Sequence, residues 1–97
     1  MIVSINGEAE AELADAAHRG MEQGGEALAE AVIDEFERTI ALLMEHPHIG
    51  VRFRKYRRFS LRRFPFSVIY YMAGPEELRV VAFAHHRQKP GYWARRS

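Results

Sequence analysis

The chain has 97 residues, a length that fits one domain, 1–97, around a single core. With 47% hydrophobic and 28% charged residues it reads as an ordinary globular protein, and the absence of cysteine excludes disulfide and thiolate chemistry. The formal charge of +1 hides a division: residues 1–50 hold two basic side chains against eleven acidic ones, and residues 51–97 hold twelve basic against two acidic.

The opening "MIVSI" is a short apolar strand candidate. It has neither the basic start nor the long apolar stretch of an export signal, and no apolar run approaches the ~20 residues of a membrane span. The expectation is a cytoplasmic protein with no membrane partner. "GEAEAELADAAHRGMEQ" then places Ala9, Leu13, Ala16, Ala17 and Met21 at helical spacing, with an acidic outer face. Ser4 or Asn6 can cap it. Gly24 and Gly25 break the pattern, and a second helix runs from about Glu26 to Glu45 with Leu28, Val32, Phe36, Ile40 and Leu43 on one stripe. Pro47 ends it, because the residue before a proline resists the α region.

After Gly50 the residues become β-branched and aromatic. "YRRFSLRRF" alternates, with Phe59 and Leu61 on one face and Arg58, Ser60 and Arg62 on the other. "FSVIYYM" is apolar on both faces, as a central strand is, and "AGPEE" turns the chain into the apolar "LRVVAFAHH". The fold expected is α+β: a short N-terminal strand and a two-helix hairpin packed on one face of a small twisted antiparallel sheet. Phe36, Ile40 and Leu43 should meet Val68, Tyr70, Val80 and Ala82.

Three stretches hold candidate chemistry. His85 and His86 are neighbours at a strand end, where successive side chains point to opposite faces, so they do not form a metal site. No metal or other cofactor is expected. Arg54, Arg57, Arg58, Arg62 and Arg63 make a basic surface whose guanidinium forks match phosphate or carboxylate, with aromatic residues between them. The closing "AHHRQKPGYWARR" adds arginines, a lysine and a Tyr-Trp pair. No glycine-rich phosphate loop, nucleophile elbow or paired-carboxylate signature is present.

Together, "EHP" followed by glycine, "LRRFPFSVIYY" and "VVAFAHHRQKPGYWARR" resemble the RelE/ParE superfamily of small bacterial toxins, on the side of ParE and the plasmid-stabilisation proteins. The resemblance implies the toxin of a type II toxin–antitoxin pair, held inactive by a cognate antitoxin. RelE-like members cleave mRNA on the ribosome without a metal; in this sequence Arg62, Arg87 and Tyr92 are the candidates for that role. Ser67 stands where such members carry a basic residue. ParE-like members bind and inhibit DNA gyrase and are not nucleases, and that is the preferred expectation. His85, Arg87, Tyr92, Trp93 and Arg95 would then form a target-binding surface. A non-toxic relic or binding module of the same fold is the remaining alternative.

Overall fold

The computed structural model describes residues 1–97. Along the chain come β1 (Ile2–Ile5), α1 (Gly7–Glu45), β2 (Val51–Phe53), β3 (Tyr56–Ser60), β4 (Phe66–Gly74) and β5 (Glu77–His85).

Asn6 starts α1: its backbone is extended and its Oδ1 accepts from the Ala9 N–H at 2.8 Å. Glu8 and Glu10 in the first turn complement the helix dipole. The expected pair of helices is one helical segment bent at a single residue, Gly25, whose φ of 72° only glycine adopts without strain. The two arms fold back on each other. A Cβ built on Gly20 would stand 3.2 Å from the Ala29 Cα, whereas a straight helix would hold these positions about 13 Å apart. The segment ends at His46, whose N–H still reaches the Leu42 carbonyl, just before Pro47.

The sheet order is β1-β5-β4-β3-β2. β3, β4 and β5 form the expected antiparallel part of the sheet and β2 extends it, but β1 runs parallel to β5, with Ile2 opposite Glu77 and Ile5 opposite Val80. The sheet is therefore mixed. Parallel pairing follows from connectivity: α1 carries the chain across one face before β5 is laid beside β1. β2 is an additional edge strand of three residues, joined to β3 through Arg54 and Lys55.

Both sheet faces are covered. On one, Val32, Phe36, Ile40 and Leu43 of the second arm and Ala9 and Ala16 of the first meet Leu61, Val68, Tyr70, Leu78, Val80 and Phe83. The other holds Tyr56, Ile69, Val81, Ala82, Ala84 and Trp93. An irregularity in β5 decides which residue goes where. Ile69 pairs with Ala82 and Tyr70 with Val80, so Val81 is an extra residue in the ladder, a β-bulge. The bulge keeps both Val80 and Phe83 on the helical side. It also moves Ala82, expected against the helices, to the opposite face, and Phe83 takes the place across from Phe36 at 5.4 Å between ring centroids.

Candidate functional site

The C-terminal tail is fastened to the body by side chains. β1 ends at Ile5, so the outer edge of β5 beyond Val80 has no neighbouring strand. Three side chains stop that edge instead. The Val81 carbonyl accepts from Arg96 Nη1 at 3.1 Å, the Phe83 N–H donates to Glu12 Oε1 at 3.0 Å, and the His85 N–H donates to Gln88 Oε1 at 2.9 Å. Glu12 also accepts from the Tyr92 hydroxyl at 2.6 Å and from Arg96 Nη1 at 2.8 Å, and Glu8 pairs with Arg96 at 3.2 Å. Burial, then the bond to Glu12, raises the Tyr92 pKa well above the usual phenol value. Burial alone would lower the Arg96 pKa, but its bond to Glu12 and the charges of Glu12 and Glu8 outweigh that and raise it. Across the sheet face, the Tyr56 hydroxyl donates to the carbonyls of Ala94 and Arg96.

Beside the tail lies a cleft of about 200 Å³ between β2 and the loop after β5. Its floor includes Ser67, which is 1% exposed and bonded to His86 Nε2 at 3.0 Å and Ser60 Oγ at 3.2 Å. Arg58 and Lys89 line the cleft, with the rings of Phe53, Tyr92 and Trp93. Ser67 is too enclosed to serve as an accessible nucleophile.

The residues expected to bind a target are not all presented. Arg87 and Arg95 are exposed. His85 is half-buried edge-on to Phe66; burial, then the charge of Arg87, lowers its pKa from the ordinary 6.5. The Tyr92 hydroxyl is engaged by Glu12, and Trp93 is 4% exposed, packed edge-on against Phe53 and Tyr56 at 5.1 and 5.2 Å. Its place is in the second core.

The basic surface is likewise divided. Arg54 sits at the tip of the β2–β3 hairpin, Arg57 donates to the His48 and Gly50 carbonyls, and Arg58 lines the cleft. Arg62 and Arg63 border a groove with Glu35 and Arg38 on the second helical arm. The possible nuclease set is dispersed too: Arg62 lines that groove, Arg87 a cleft beside Glu12 and Arg19, and Tyr92 the cleft under β2. Sequence reasoning missed Glu12, Glu35, Tyr56 and Arg96. Glu35 is buried in the helix and accepts from the Arg63 N–H at 2.9 Å. Its place beside Phe36 on the buried stripe was the one signal available.

A bent helical segment on a five-stranded mixed sheet, closed by a fastened basic tail, defines a small α+β domain of a recognisable class. It superposes with a TM-score of 0.76 on a chain of the chromosomal ParDE TA system from P. aeruginosa, at 18% identity, covering 88% of this chain and 95% of that one. The comparison with curated proteins gives no match. The family model for the ParE toxin of the type II toxin–antitoxin system, parDE, matches residues 3–90. The chain belongs to the ParE toxin family.

Proposed function

We propose that the protein is a growth-arresting toxin that binds and inhibits DNA gyrase and is neutralised by a cognate antitoxin. The observation that carries this reading is the match to the ParE toxin family over residues 3–90. The placing of Arg62 in a groove that holds neither Arg87 nor Tyr92 favours binding over mRNA cleavage, which needs its charge-stabilising groups around one phosphate. Arg87 and Arg95, with the edge of His85, form the exposed part of the target surface; Tyr92 and Trp93 support it from behind. The antitoxin is an acidic and apolar segment that orders on this basic half of the molecule. Cytoplasmic action follows from such partners, and no helix is long and apolar enough to cross a membrane.

The test is a pair of assays with purified protein: gyrase supercoiling, and primer extension on translated mRNA. The expected result is loss of supercoiling with intact mRNA. Ribosome-dependent cuts with unaffected gyrase would overturn the target. In cells, expression alone should arrest growth and co-expression of the neighbouring antitoxin gene should restore it.

A further inference from the structure

The cleft under β2 shares Gln88 and Tyr92 with the fastening of the tail, and its lining is chemically one-sided. Arg52, Arg58, His86 and Lys89 line it, and no carboxylate does. The two acidic residues of the basic half, Glu76 and Glu77, lie at the opposite end of β5. Arg58 and Lys89 are exposed, and neither belongs to an ion pair. Cations gathered in a concave, partly apolar site gain most from an anion placed among them. The walls add flat partners: Phe53 is 39% exposed and Tyr92 half-buried, with Trp93 packed directly behind Phe53.

We propose that this cleft is a phosphodiester-binding site that takes one nucleotide unit of single-stranded nucleic acid. An acidic peptide would satisfy the cations but leave the rings without a planar partner. A nucleotide supplies both the charge and a base face. The volume, about 200 Å³, admits a single unit and excludes the paired bases of a duplex. His86, exposed at the rim and bonded to the enclosed Ser67 hydroxyl, adds a polar partner for a phosphate or sugar oxygen. DNA and RNA strands share this chemistry. The site is independent of the gyrase reading: a strand can bind here whichever enzyme the toxin inhibits.

Trp93 is the only tryptophan and lies in the cleft wall, so its emission reports occupancy. The full-length protein is titrated with labelled oligo(dT), oligo(U), a matching DNA duplex and polyglutamate, reading Trp93 emission and label anisotropy together. Saturable emission changes are expected with one or both single strands, and the tighter of the two identifies the source. The logarithmic salt slope should be about −1.4, from roughly 0.7 for each of the two phosphates that flank one nucleotide unit. Arg58→Ala and Lys89→Ala should each weaken binding about 10-fold and reduce the slope by about 0.7. Arg62→Ala, in a different groove, should leave it unchanged. Both cleft side chains are exposed, so wild-type melting is expected and separates lost binding from lost folding. The proposal fails if polyglutamate or the duplex binds at least as tightly as the strands. It also fails if Arg58→Ala has no effect, if Arg62→Ala weakens binding equally, or if anisotropy rises without a change at Trp93.

Discussion

Glu12 accepts hydrogen bonds from three groups at a strand edge: the Phe83 N–H, the Tyr92 hydroxyl and the Arg96 guanidinium. Losing the carboxylate leaves the Phe83 N–H unmatched and Arg96 with only Glu8 and the Val81 carbonyl, so Glu12→Ala should cost about 1–3 kcal/mol by chemical denaturation. The same variant should bring the Tyr92 pKa down toward 10.0, the unperturbed value, in an alkaline absorbance titration. Tyr92 and Tyr70 both have raised pKa values, chiefly through burial. Their unfolded forms ionise first, so the stability they contribute is complete below pH 10 and lost as pH rises through the folded values. His85 behaves oppositely at the acid end. Its folded pKa lies below 6.5, so the unfolded state takes the proton first and stability declines as pH falls from 6.5 to the depressed value. Arg87→Gln should move the His85 pKa upward in an NMR titration, since Arg87 is the second cause of the shift after burial. An unchanged value would remove Arg87 from the account.

Among the elements, those marked by period and punctuation were legible in the sequence. The stripe Val32, Phe36, Ile40 and Leu43 is buried, Asn6 caps, and the segment stops before Pro47. Phe36→Ala should therefore cost about 3–5 kcal/mol, because it empties the space against Phe83. β4 and β5 stand where the apolar runs place them. Partner choice was not legible. The three apolar residues of β1 specify a strand but not whether its neighbour runs parallel. The bulge at Val81 was hidden because "VVAFA" is apolar at every position, so alternation could not register the extra residue. β2 has only three residues, too few to show a period. Its hairpin also uses a residue that turn chemistry disfavours: Arg54 has φ 56°, the left-handed region, at a cost of about 1–2 kcal/mol for a side chain bearing Cβ. Arg54→Gly should recover up to about 1 kcal/mol in thermal or chemical melting, offset in part by the flexibility that glycine adds to the unfolded chain.

At the scale of the whole molecule, the acidic and basic halves neutralise each other less by contact than their totals suggest. Among the fourteen lysines and arginines only Arg96 forms a side-chain ion pair, and it does so with Glu8 and Glu12 across the seam between the halves. Most of the remaining cations are free of ion pairs, although Arg57 is held by the His48 and Gly50 carbonyls, while Arg96 belongs to the closure of the second core. The structural residues and the proposed recognition residue Arg95 are thus interleaved within residues 91–97, and a truncation cannot separate them. Removing those residues would uncover Tyr56, Ile69 and Val81 and free the β5 edge, so it should abolish cooperative folding and every activity at once. Single substitutions do separate them. Trp93→Ala should cost about 3–5 kcal/mol and lower inhibition only as the folded fraction falls. Trp93→Phe should restore most of both. Arg95→Ala, at an exposed site, should change stability by less than about 0.5 kcal/mol yet weaken gyrase inhibition per folded molecule. Melting curves and supercoiling assays on the same preparations give both quantities. If Trp93→Ala melts within about 1 kcal/mol of wild type and still loses inhibition, the indole contacts the target directly and the tail opens when it binds.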